Sequence, residues 1–529
     1  MRKYIVLSFG FAVAVTAVFS PRSTRSQPNP PPLEKAAYTA LQRHCARCHD
    51  APDDSGGFDY VLDLDKLVAA GDVVPRSPES SPIMCALDPT IGNACKTSYN
   101  RMPADDEIIP GPDIDALVQW IRAGAPSVTT PAPACANRAH IEILADLKKT
   151  QTPTMPANRF RYLLLTPQRD SGDDVAFARV RAAAGKLLNS LSWRADIHVP
   201  PVVGRNTALR IDLDRYGISP ADWDYVVAEG KYPYAPAPGR DTEYDGLRGL
   251  TGASFPAVRA DWFEKVASAD PAYSRLLRLP SDLAQLETIL AISGPPQRVT
   301  VSRSKIVNTN GSRIIERREI PVNKHYSKPG YYWKTIDFLP AKGPQHASKH
   351  ATSNTGDGQE IIFSLPNGMH GFYLTNDQGN RVDAGPTTLV IDRTDSERKV
   401  RLARSCFSCH VDGLREDVAP DAPSSTFFGA IANDNVSYRL ASRPFGESSV
   451  DPIFGAVRAY GQDLEFWQIA AELGLTGGTL AEKIVANAEV RASIPDRKAT
   501  MKRRALETSL STLSGLVCPP PPPRPGSGP

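Results

Sequence analysis

The spacing of hydrophobic positions changes along the chain, and each change predicts a different element. Behind Met1-Arg2-Lys3 an apolar run extends from Tyr4 to about Phe19, then gives way to polar Pro21 to Gln27. A basic start, an apolar stretch and a polar exit predict a secretory signal peptide over 1–26. The run is shorter than the roughly 20 residues of a spanning helix, so an uncleaved anchor is the lesser alternative. After a Pro-rich lead-in at 27–32, apolar positions recur at three- and four-residue steps (Tyr38, Leu41, Cys45, Cys48), predicting a helix from Leu33. Ile114, Leu117, Val118 and Ile121 predict a second helix over about Asp113 to Ala123, stopped by Gly124 and Pro126.

Further along, Arg161 to Leu165 reads as a buried strand, and Asp174 to Leu191 and Ala260 to Ala267 as helices. From about Gln297 the period shortens to two. Asn310-Gly311 between Lys305-Ile306-Val307 and Ile314-Ile315 predicts a hairpin. Glu360 to Leu365, Gly371 to Thr375 and Thr388 to Ile391 read as strands, and helical spacing returns at Leu464 to Leu473 and Arg503 to Leu516. The expected fold class is multidomain: an N-terminal all-α domain at 33–126, a linker at 127–134, and a mixed α+β region. That region comprises 135–296, a β-rich middle at 297–400, and a helical C-terminal part at 401–517 before a Pro-rich tail at 518–529.

Composition narrows this little. Of 529 residues 41% are hydrophobic and 22% charged, and 61 Lys and Arg against 58 Asp and Glu leave +3. That balance supplies no long-range field for nucleic acid or anionic lipid, so neither is an expected partner. Proline is the departure: 48 residues predict a loop-punctuated chain.

The eight cysteines carry the chemistry. Cys45-Ala46-Arg47-Cys48-His49 and Cys406-Phe407-Ser408-Cys409-His410 share the Cys-x-x-Cys-His spacing of c-type haem attachment. Two thiols one helical turn apart reach the two vinyl groups of one porphyrin, and the adjacent histidine falls under the iron. With 8 Cys and 9 His in the chain, two accidental matches have a chance on the order of one in a million. A redox pair of the thioredoxin kind does not require the histidine, and structural zinc sites use more compact spacings. Two covalently attached haems are therefore expected, one in 33–126 and one in 401–517.

Met102, in Arg101-Met102-Pro103, is the candidate sixth ligand of the first haem, with Met84 as its rival. Thioether opposite imidazole raises the potential and closes the iron to substrates. For the second haem, His346 and His350 lead a field that includes His325, Met369, His370 and Met501, and a five-coordinate iron is also compatible with the sequence. The other cysteines, Cys85, Cys95, Cys135 and Cys518, allow three pairings. Cys85 with Cys95 would close a short loop ahead of Met102, and Cys135 with Cys518 would join the linker to the C-terminus.

Residues 33–126 resemble the small cytochrome c domains of exported planctomycete and myxobacterial proteins. The resemblance lies in Cys45 to His49, Leu62-Asp63-Leu64, Arg101-Met102-Pro103 and Leu117 to Ala125. It implies Met102 as ligand, although Ala104 stands where that family usually has a second proline. The remainder resembles larger exported two-haem cytochromes through Asn189 to Trp193, Arg210 to Leu213, Arg259 to Phe263, Glu360 to Gly368 and Ser405 to His410. The expected function is electron transfer between redox partner proteins in the periplasm or outside the cell. A dihaem peroxidase- or oxygenase-like enzyme with an open distal site on the second haem is the runner-up, and a haem-based sensor or scaffold the third class. Phosphate-binding loops, nucleophile elbows and His-Glu-x-x-His helices are absent from the sequence.

Overall fold

The computed structural model describes residues 33–49, 60–62, 64–94, 99–104, 108–125, 138–170, 173–236, 241–302, 311–343, 345–422, 424–446, 449–473, 494 and 500–517. The expected signal peptide, linker and tail, the strand at Lys305 to Val307, and Cys95, Cys135 and Cys518 lie outside those residues. The architecture is mixed helix and sheet, with two separate sheets. The chain divides into two compact units: residues up to Ala40 with Leu64–Val128, and Leu41–Asp63 with everything from Thr129. Among the described residues no helix is long and apolar enough to cross a membrane.

Helices α1 (Leu33–His44) and α2 (Ala46–His49) are separated by a turn at Cys45. In the first unit, α3 (Gly111–Arg122) begins with proline in its first turn and buries Leu117, Val118, Trp120 and Ile121. The Ile121 carbonyl accepts from Arg76 N at 2.7 Å, and Ala125 N donates to Trp120 O, closing the helix end over Gly124 at φ +99°. Leu67, Val73 and Met84 are also buried there.

The second unit carries both sheets. Helix α4 (Arg138–Thr150) packs on the smaller one, of strand order β2–β3–β1–β4, formed by β1 (Phe160–Leu164), β2 (Val202–Val203), β3 (Ala208–Asp212) and β4 (Ala257–Arg259). β1 pairs antiparallel with β3 and parallel with β4. Helix α5 (Asp174–Ser190) starts where the Asp173 carboxylate accepts from Ala176 N at 2.9 Å, an N-cap that satisfies an otherwise orphaned donor. Its Gly185 lies so close to Phe445 that an added Cβ would sit 2.7 Å from the ring. Helix α6 (Ala260–Ala267) buries Trp262 and Phe263 in the same core as Ala184 and Leu188 of α5.

The larger sheet is an antiparallel meander of β5 (Gln297–Val301), β6 (Ser312–Ile320), β7 (Gly330–Phe338), β8 (Gly358–Ser364) and β9 (His370–Asn376). Helices α7 (Arg404–Cys409), α8 (Ser425–Ser442), α9 (Pro452–Tyr460) and α10 (Arg503–Val517) follow. As expected from about Gln297 onward, the chain is β-rich: β6 pairs with Gln297–Val301, in the register Val301 opposite Arg313. Thr388 to Ile391 is a turn rather than a strand. Leu389 N and Val390 N both donate to Pro386 O, the folded-back geometry that a proline favours.

Candidate functional site

The second Cys-x-x-Cys-His is built on α7. The helix places Cys406 and Cys409 one turn apart, with His410 as its C-terminal cap. Both thiols, like those of Cys45 and Cys48, are outside disulfides. His410 Nδ1 lies 3.0 Å from the Gly413 carbonyl oxygen. That contact holds the tautomer with the proton on Nδ1 and leaves the lone pair on Nε2, the arrangement by which metal-bound histidines are commonly oriented. Burial pushes His410 down to about 4, so the imidazole is neutral and able to donate its lone pair at ordinary pH.

The Gly413 carbonyl is itself held. Gly413 has φ +116°, and a Cβ there would sit 2.3 Å from the Asn435 side-chain oxygen, so the turn requires glycine. Asn435, on α8 and fully buried, accepts from Leu414 N at 2.6 Å and donates to Leu414 O at 3.0 Å. One amide thus clamps both backbone groups of the residue after Gly413.

Facing α7 and α8 is one side of the larger sheet. Opposed residues in antiparallel strands share a face, and the register puts Arg313, Asp337, Glu360, Ile362 and Phe372 together. Phe372 meets the Phe407 ring edge-on at 5.2 Å and the His410 ring at 6.2 Å. Along β9, His370 is 1% exposed and stacks on Tyr438 of α8 at 4.0 Å. Its Nε2 is 2.8 Å from the Tyr331 hydroxyl, while its Nδ1 is buried without a hydrogen-bond partner. Burial, then the fields of His410 and Lys186, hold His370 neutral. The Lys186 ammonium sits over the Tyr438 ring and pairs with the Asp451 carboxylate at 2.6 Å, both side chains 4% exposed or less. Burial works against that ammonium, but Tyr438 and Asp451 outweigh it and raise its pKa.

Cys48 N and His49 N both donate to Cys45 O, at 3.1 and 3.0 Å, and Val61 N donates to His49 O at 2.9 Å. Met102 is partly buried and its N–H donates to Ala86 O at 2.9 Å, while Met84 is fully buried. Cys85 is disulfide-bonded, and its partner lies outside the described residues.

The second motif's sequence candidates are scattered. His346 and His350 pair with each other at 4.3 Å beside Phe338. His325 lies against Trp193, and Met501 packs with Leu464 and Leu506 in a separate cluster. Met369 and His370 are buried, and His370 is the histidine whose pKa feels His410. Sequence reasoning missed Gly413, Asn435, Phe372, Arg313 and Asp337. The Asp412-Gly413 dipeptide is a turn signal that could have flagged the first, whereas the others depend on register and packing.

Among the described residues no group of three or more His, Cys, Asp or Glu side chains is placed to hold a metal ion. The residues around α7 do suit a haem: two thiols on one turn, a neutral imidazole with Nδ1 occupied, and aromatic flanks from Phe372 and Phe407. Cys406 and Cys409 would make the thioether bonds and His410 would be the proximal ligand. Comparison with models of protein families, with curated proteins and with solved structures finds no match.

Proposed function

We propose that this chain is an exported c-type cytochrome that carries electrons between redox partner proteins on two covalently attached haems, held by Cys45, Cys48 and His49 and by Cys406, Cys409 and His410. The observation that carries this reading is the hydrogen bond from His410 Nδ1 to the Gly413 carbonyl, next to two thiols on one helical turn. A histidine serving only as packing has no need of two cysteines one helical turn apart beside it. When bound, a haem of this kind supplies a one-electron couple whose potential is set by its axial ligands and its burial. The chain's own residues orient the proximal imidazole, exclude water with Phe372 and Phe407, and fix the ligand tautomer through Gly413.

Export is supported by the basic and apolar N-terminal pattern and by the disulfide at Cys85, since such bonds persist in oxidising compartments. Met102 remains the proposed sixth ligand of the first haem. The second reading, an enzyme with an open distal position on the second haem, draws support from His346 and His350, which pair with each other on a surface helix rather than with the surroundings of His410.

The test is spectroscopic. Protein expressed with haem-attachment machinery should show two covalent haems by mass and by denaturing-gel haem stain. Oxidised and reduced spectra with cyanide and carbon monoxide then separate the readings. Two low-spin, ligand-inert haems support the carrier; a high-spin, ligand-binding fraction supports the enzyme. Failure of both motifs to attach haem, with the protein folded, overturns both.

A further inference from the structure

Three strands bring two carboxyl groups and one guanidinium together on the sheet face that looks toward α7. Arg313 of β6 is directly opposite Asp337 of β7, and Glu360 of β8 is opposite Thr335, two residues away on the same face. Arg313 Nε lies 2.9 Å from Asp337 Oδ1, and its Nη2 lies 3.5 Å from Glu360 Oε2. Side-chain exposure is 6% for Arg313, 2% for Asp337 and 28% for Glu360.

The charge count decides what such a cluster does. One guanidinium neutralises one carboxylate; the second leaves an excess negative charge in a poorly solvated place. Such a pair favours holding a proton, because two carboxylates sharing one site resist ionising together. Of the two, Glu360 is the group open to water, so a proton can reach it. Its neighbours on every side are accounted for. Arg313 and Asp337 face it across the sheet, Leu374 of β9 is apolar, and Cys406 and Cys409 feel its charge from α7. Arg415 and Asp392 act on Cys409 from the flanking loops, and Arg313 acts in turn on His410. The cluster is therefore in electrostatic reach of the attachment site without touching its histidine.

We propose that Glu360 is a redox-linked proton site, binding a proton from solvent when an electron arrives at the second haem and releasing it when the electron leaves. This rests on the assignment of a haem to Cys406, Cys409 and His410. The balance is simple: one electron enters from a reduced partner protein, one proton enters from water, and both leave on oxidation, with no bond to carbon made or broken. The sign follows from Coulomb's law, since an added electron makes the surroundings more negative and strengthens proton binding by a nearby carboxylate. Burial, opposed by Arg313 and aided by Asp337, raises Glu360 to about 7, so exchange falls in the physiological range.

The decisive experiment is a potentiometric titration of the full chain with both haems attached, from pH 5 to pH 9, in the natural sequence and in Glu360→Gln. The potential of the second haem should fall as pH rises through neutrality, with a slope up to about 59 mV per pH unit, the tenfold change in proton activity for a one-electron couple. Glu360→Gln should flatten that segment while the first haem's profile is unchanged. Glu360→Asp, which keeps the carboxyl group, should restore a slope. Haem attached at the second motif, but with a pH-independent potential or the same slope in Glu360→Gln, overturns the proton site alone. Absence of haem from that motif overturns the assignment beneath it, which is a different and separately visible result.

Discussion

The two Cys-x-x-Cys-His segments have the same spacing in sequence and sit on different local elements. The first occupies the end of α1, a turn and four residues of α2, where Cys45 O accepts from Cys48 N and His49 N and His49 O accepts from Val61 N. The second is held by side chains from far along the chain. Its neighbours come from β9 (Phe372), α8 (Asn435, Tyr438) and α5 (Lys186), the last more than two hundred residues upstream. A pentapeptide can specify where a haem is attached. What sets the behaviour of a bound haem is the shell around it.

The largest effect that would break the comparison is loss of a haem. Cys406→Ala with Cys409→Ala should remove one covalent haem and leave the other, by intact mass; Cys45→Ala with Cys48→Ala should do the converse. Equal attachment in natural and substituted proteins would show that neither motif is used. Next comes the buried Lys186–Asp451 pair. Asp451→Ala leaves an uncompensated ammonium and should cost about 3–5 kcal/mol in denaturant unfolding of the second unit. Adding Lys186→Met should recover much of that, because an apolar isostere has no charge to strand. A smaller loss is expected for Asn435→Ala, about 1–3 kcal/mol for the orphaned Leu414 groups, with a shifted spectrum of the second haem only. The finest test addresses the first site: Met102→His should lower the potential of one haem, by potentiometry, leaving attachment intact. An unchanged potential would remove Met102 from the coordination sphere.

The hydrophobic spacing carried the elements whose stability is mostly local. The Ala-rich α5 and the amphipathic α6 stand within a residue of their expected bounds, as does the strand at Phe160–Leu164. Where longer-range pairing decides, the pattern misleads. The antiparallel partner of β6 is Gln297–Val301, and its register is set by which face is covered. Thr388 to Ile391 has the β-branched composition of a strand, yet Pro386 folds it into a turn. The two Cys-x-x-Cys-His candidates could be read from spacing alone, because thioether attachment would impose it. Their neighbours could not, since Arg313, Asp337 and Glu360 meet only through strand register, and Asn435 reaches Gly413 only through the packing of α8.

That register has a genetic corollary. Side chains alternate across a strand, so deleting a single residue within β8 ahead of Glu360 would turn the carboxylate to the opposite face and bring an isoleucine round in its place. Point substitutions would tune the proposed proton site by degrees, while a one-codon deletion in this strand would erase it at a stroke. Lineages that vary freely in the loops between strands should therefore hold strand lengths constant in this sheet, for reasons of charge placement as much as of packing.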